Sequence, residues 1–188
     1  MRQTTCYLIE GIDRVGKNSV IAEIQHRLGY HLVLHYSKPQ RLQCLVRDHG
    51  NSAEREFQAA SFKAMFELIA NVRNARIICN RAHLGECVYA PLYRGYSGDY
   101  VFDLERSYAA DIMGHARLVL LIEDFAVSRH FVDDAKSLGP ATRRIDEQAL
   151  FQSAFDRSTF QDKRLVSVTE PSTGKFRVLD RILDEVLQ

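Results

Sequence analysis

Short apolar runs alternate with longer stretches of helical spacing from one end of the chain to the other. The run Cys6-Tyr7-Leu8-Ile9 predicts a strand over 4–10, and Val20, Ile21, Ile24 and Leu28 recur as one helix face over 17–28, with Gly29 as a C-terminal cap. A second strand is predicted over 31–36, stopped by Pro39. A long helix follows over 53–74, carrying Phe57, Phe62, Met65, Phe66, Ile69 and Val72 near helical spacing. The third strand is predicted at 76–80. The Tyr- and Gly-rich segment 85–100 has no clear period, and a helix over 102–116 comes next. The fourth strand, 118–122, is continuously apolar and ends in Glu123-Asp124. A charged, irregular stretch at 128–144 precedes a helix over 146–156, a fifth strand over 164–168 and a last helix over 175–187.

Five short apolar strands separated by helices predict an α/β fold, a five-stranded parallel sheet with helices on both faces and right-handed crossovers. Ligands of such sheets sit beyond the carboxyl ends of the strands. That rule brings together 11–19, Ser37-Lys38-Pro39, Asn80-Arg81 and Glu123-Asp124.

Composition narrows the classes. The 188 residues suit one domain, 1–188. With 25 Lys+Arg against 24 Asp+Glu there is no global basic field for nucleic acid or membrane, although Arg41, Arg47 and Arg55 leave a local DNA contact open. No apolar stretch approaches the roughly 20 residues of a membrane span, and residues 1–5 lead straight into the first predicted strand, so neither a membrane span nor a signal peptide is expected. Four separated cysteines with no C-x-x-C fit a reduced, cytoplasmic setting, with Cys6 and Cys79 as buried thiols. The seven histidines show no ligand spacing. His31 and His35 flank a strand and read as packing residues rather than metal ligands, and no G-x-S-x-G supports a Ser-His-Asp site.

The chemistry concentrates in Gly11-Ile12-Asp13-Arg14-Val15-Gly16-Lys17-Asn18-Ser19. It fits G-x-x-x-x-G-K-[ST] except at Asn18, with Ser19 one place late, and it lies between a strand and a helix as a phosphate loop must. Gly11, Arg14, Val15, Gly16, Lys17, Asn18 and Ser19 are the candidate binders of a nucleoside triphosphate. After the third strand, Arg81 can grip a phosphate, and Tyr89, Tyr93, Arg94, Tyr96 and Tyr100 form an aromatic cluster against which a planar base could stack. The charged stretch, with Arg129, Lys136, Arg143, Arg144 and the turn Gly139-Pro140, reads as a lid over about 128–145.

These segments resemble the thymidylate kinases and related deoxynucleoside monophosphate kinases. Residues 9–17 resemble that family's F-E-G-x-D-G-x-G-K start, Ile78-Cys79-Asn80-Arg81 its D-R motif, Ser37-Lys38-Pro39 its R-E-P segment, and Arg129 to Arg144 its Arg-bearing lid. The combination of Arg81, Tyr89 and Pro91-Leu92-Tyr93-Arg94-Gly95 looks more like viral nucleotide kinases of this group, which implies a phage-type protein in a host cytoplasm. The resemblance implies ATP-dependent phosphoryl transfer with Mg2+ to a nucleotide. Lys17 would hold the donor phosphates, Arg81 and Lys38 the acceptor end, while Arg129, Arg143 or Arg144 would close on the transferring group. Asp13 would orient the acceptor or a cation, and Phe57, Gln58 and Phe62 would join Tyr89, Tyr93 and Arg94 at the acceptor pocket.

Two departures fall at the metal. Asn18 replaces the hydroxyl residue and Asn80 the Asp of the D-R motif, so Asn18, Asn80 and Asp124 become the candidate metal residues, with Glu123 beside them. The alternatives are a kinase acting on a hydroxyl of a modified base in nucleotide or DNA, and a nucleotide-binding module with little turnover. Homodimerisation stays open.

Overall fold

A computed structural model describes residues 6–29, 31–36, 51–72, 74–112, 114–127 and 143–188. Its strands are β1 (Cys6–Glu10), β2 (Leu32–His35), β3 (Ile77–Asn80), β4 (Ala116–Ile122) and β5 (Lys163–Ser167). Its α-helices are α1 (Lys17–Leu28), α2 (Asn51–Asn71), α3 (Leu84–Tyr89), α4 (Tyr100–Ile112), α5 (Arg144–Arg157) and α6 (Leu179–Leu187). A π-helical turn, Ala90–Arg94, continues α3.

The five strands form one parallel sheet in the order β2-β3-β1-β4-β5. Every residue of β1 and β3 is buried. Successive strand side chains point to opposite faces, so burial of consecutive residues means that both faces are covered. That is why these strands read as continuous apolar runs. The edge strands β2 and β5 are partly exposed, and β5 (Lys-Arg-Leu-Val-Ser) is correspondingly more polar. Around the sheet α1 packs on α6, α2 on α4 and α3 on α5. Leu8, Ile9, Ile24, Phe66, Ile78, Leu118 and Phe151 fill the core between these layers.

The register aligns the carboxyl ends of the three strands that frame the site. Asn80 lies opposite both Ile9 of β1 and His35 of β2. Arg81 extends this edge, its N–H bonding the Ile9 carbonyl at 3.0 Å.

Several sequence expectations change. The helix expected to reach 116 ends at Ile112, because Gly114 takes a left-handed turn (φ 80°) and Ala116 already opens β4. The segment 85–100 holds most of α3 and the π-helical turn; the buried Glu10 carboxylate accepts the Leu84 N–H at 2.9 Å, and no local period announces that long-range cap. The last helix starts at Leu179 rather than 175. Residues 168–177 instead close a tight hairpin, with Glu170 N–H to the Lys175 carbonyl and Arg177 N–H to the Val168 carbonyl, both at 2.8 Å. The expected lid falls mostly on 128–142, outside the described residues.

Gly11 is the tightest backbone constraint. Its φ is 138°, and a Cβ there would stand 2.6 Å from the Leu121 carbonyl oxygen of β4 and 3.0 Å from Val15 Cγ1. Gly11→Ala is expected to destabilise the protein by about 2 kcal/mol or more, read as a lowered Tm and denaturant midpoint. An unchanged midpoint would contradict this backbone contact.

Candidate phosphate-binding cleft

β1 delivers the chain to Gly11, and α1 takes it up at Lys17. Between them Arg14 (φ 65°) and Gly16 (φ 92°) adopt left-handed backbone, a conformation that turns neighbouring amides into one concavity. Gly16 precedes the first turn of α1, where Val20 N–H bonds its carbonyl at 3.1 Å. A side chain at Gly16 would collide with the Phe176 ring of the 168–177 hairpin, so ring and loop are in close contact.

Lys17 is buried, and its Nζ donates to the Gly11 carbonyl at 2.8 Å and the Ile12 carbonyl at 2.6 Å. Burial, followed by repulsion from Arg81, pulls the ammonium pKa down to about 7, against the opposing pull of Asp13 and Glu10. Arg81, itself in left-handed backbone (φ 66°), forms an ion pair with Asp13. Burial works against the Arg81 charge, but Asp13 outweighs it and raises the Arg81 pKa. The loop residue Asp13 and the β3-end residue Arg81 are therefore one unit. Tyr89 lies beside it, buried, with its phenol pKa pushed up chiefly by burial.

Arg144 fixes the loop from the other side. It is buried at the start of α5, donates to the Asp13 carbonyl at 2.6 Å and pairs with Glu123 at the end of β4. Gln148 closes the same corner, accepting the Glu123 N–H at 2.7 Å and donating to the Glu123 carbonyl at 2.8 Å. The lid residue Arg144 is thus a strap within the described fold, and breaking such a buried pair costs about 3–5 kcal/mol. Burial and the hydrogen bond to Glu147 push the Tyr93 phenol up to about 12, against the opposing pull of Arg143, one residue before Arg144.

The metal candidates separate. Asn18 and Asn80 meet directly: Asn80 Nδ2 donates to Asn18 Oδ1 at 2.8 Å, and His35 Nδ1 is 3.2 Å from the same nitrogen. With Lys17, Ser19 and Arg81 they line a cleft of about 230 Å³. Asp124 is not among its lining residues; its carboxylate accepts the Ala126 N–H at 3.0 Å in the turn after β4. Glu123 is committed to Arg144.

The acceptor candidates also divide. Tyr93 donates to Glu147 at 2.6 Å. Glu86, which sequence reasoning did not single out, gathers Arg94, Tyr96 and Tyr100 around one buried carboxylate, with Arg94 Nε also 3.2 Å from Glu54. Tyr96 and Tyr100 are thus bound by their hydroxyls to a structural hub. Phe62 is core and stacks on Tyr36, Gln58 is buried, and Phe57 is 53% exposed. Lys38 and Arg129 lie outside the described residues. Of the two strand-flanking histidines, His31 is a packing residue, buried with Nδ1 2.7 Å from the Gly29 carbonyl. His35 instead faces the cleft, a placement visible only once β2 is known to pair with β3.

Binding of a polyanion must pull the Lys17 ammonium back toward its usual pKa. The free protein then takes up close to one proton per bound triphosphate at pH 8, because Lys17 is mostly neutral before binding and charged after it. Calorimetric titration in buffers of different ionisation enthalpy reads this uptake; zero uptake would contradict the depressed pKa.

No protein-family model and no curated protein sequence matches the chain. Solved structures do resemble it. The YorR protein of Bacillus subtilis, in complex with phosphorylated GDP, gives a TM-score of 0.60 at 17% identity, covering 97% of this chain and 93% of its own. Thymidylate kinase from Candida albicans gives 0.54 at 15% identity, covering 98% and 89%. Shikimate kinase from Aquifex aeolicus gives 0.51 at 13% identity, covering 97% and 94%. At such identities the likeness establishes the fold, an α/β parallel sheet shared with these proteins over nearly the whole chain.

Proposed function

We infer that the protein is a P-loop kinase that transfers a phosphoryl group from ATP to a nucleotide, with a deoxynucleoside monophosphate as acceptor. One observation carries this reading. A glycine-shaped loop, a buried lysine resting on that loop's carbonyls and an arginine from the next strand line a single cleft at the carboxyl edge of a parallel sheet. The likeness to a thymidylate kinase, and to a protein solved with phosphorylated GDP, supports a nucleotide substrate.

Catalysis in such a site is positioning and charge neutralisation. Lys17 exchanges the Gly11 and Ile12 carbonyls for the donor's β- and γ-phosphates, which the loop amides also receive. Arg81, paired with Asp13, faces the acceptor side, where the bidentate guanidinium suits a phosphate. Tyr89 and Tyr93 wall that side, with Arg143 near Tyr93 and Arg144 holding the loop still. A divalent cation would neutralise the donor phosphates, and Asn18 Oδ1 and the neighbouring Ser19 would offer it neutral oxygen donors. The Asn80–Asn18 hydrogen bond favours a second reading, a nucleotide-binding module with little turnover, because it occupies the side chains that would serve the metal.

A panel of acceptors with γ-labelled ATP separates these. Label passing to a deoxynucleoside monophosphate supports the kinase. Label passing only to DNA carrying modified bases rejects a free-nucleotide acceptor, and ATP binding with no labelled product supports the module. In the kinase, Arg81→Ala should lower kcat/KM for the acceptor about 100-fold while changing the ATP dissociation constant only a few-fold. Equal loss of both would remove Arg81 from the acceptor side.

A further inference from the structure

The contact among Asn18, Asn80 and His35 has a consequence for the cation. The Asn80 amide nitrogen stands 2.8 Å from Asn18 Oδ1 and 3.2 Å from His35 Nδ1. An amide NH2 offers only hydrogens, so the Asn18 oxygen and the His35 nitrogen both turn lone pairs toward one point. Three elements fix that point: β2 ends at His35, β3 ends at the paired Asn80, and α1 begins beside Asn18. It lies in the same cleft as Lys17 and Ser19, where donor phosphates would sit, and among the described residues no acid lines that cleft.

This donor set differs in kind from a Mg2+ site. Mg2+ sheds water reluctantly and prefers carboxylate and phosphate oxygens. Two amides and an imidazole give it no protein charge. An imidazole nitrogen favours first-row transition ions, whose affinity for nitrogen rises along the series from Mn2+. Asn80 need only rotate its amide, or yield its place, for a cation to take the position its NH2 group holds between the two lone pairs.

We propose that His35 Nδ1, with Asn18 Oδ1, enters the inner sphere of the ion carried by the bound triphosphate, and that the protein consequently prefers Mn2+ to Mg2+. His35 is then a metal ligand, and the loss of acid at Asn80 and hydroxyl at Asn18 is a change of metal rather than a loss of one. The proposal rests on the reading of the cleft as a nucleoside triphosphate site.

Pulsed electron paramagnetic resonance on the full chain with Mn2+ and β,γ-methylene-ATP tests it, using protein with natural and with 15N-labelled histidine. The expected spectrum shows phosphorus couplings together with a nitrogen coupling that changes with the histidine label and disappears in His35→Ala. Phosphorus couplings without histidine nitrogen would overturn the proposal and leave the nucleotide site standing. Absence of both would overturn the nucleotide reading and the proposal with it. Equilibrium titrations give a second readout: the Mn2+ complex of the analogue should bind about tenfold tighter than the Mg2+ complex, and His35→Ala should bring the two together. Equal affinities in the native protein would contradict the preference. The labelled native protein decides the matter even if the variant fails to fold.

Discussion

Everything at the cleft depends on how closely the phosphate loop can approach the sheet. At Gly11 backbone meets backbone, with only enough room for hydrogen beside the Leu121 carbonyl of β4. From that contact the loop rises with two left-handed residues, and Lys17 bends back to fill the concavity with its own ammonium. Arg144 ties the opposite rim to Glu123, so the loop is fixed to the central strand at one end and to a neighbouring strand end through α5 at the other. A loop constrained in this way needs little reorganisation to receive phosphates. Burial and the neighbouring Arg81 hold the lysine's pKa down at about 7.

The same rigidity gives the neutral residues their meaning. Around the loop sit Lys17, Arg81 and Arg144, with Asp13 and Glu123 already engaged in ion pairs. Asn80, where the resembled motif has an acid, brings no negative charge to the cleft, and its hydrogen bond to Asn18 links β3 to α1. Electrostatically the cleft is more favourable to a polyanion and less favourable to a hard cation. His35 Nδ1 lies 3.2 Å from the Asn80 amide nitrogen in the same cleft.

Much of this was legible in the sequence, for reasons that can be named. The inner strands are apolar on both faces, so β1, β3 and β4 stand out as short uninterrupted runs, and the Gly11–Ser19 pattern is a local motif flanked by the right elements. Helix α1 falls where its period and Gly29 put it. What escaped depends on contacts between residues far apart in sequence. Glu10 caps α3 across more than seventy positions, and Arg144 reaches back to Asp13. The pairing of β2 with β3 carries His35 to the cleft while leaving the similar His31 in the core. An acid closing an apolar strand, as at Glu10, was the one available signal for such a cap.

The central claim is that this cleft binds a nucleoside triphosphate through the buried lysine. Equilibrium titration of ATP into the native protein and into Lys17→Ala tests it most directly, with thermal melting as a check that both are folded. The account predicts one-site binding by the native protein and a loss of about 100-fold or more in the variant. Equal binding by two folded proteins, or no binding by the native one, would contradict it.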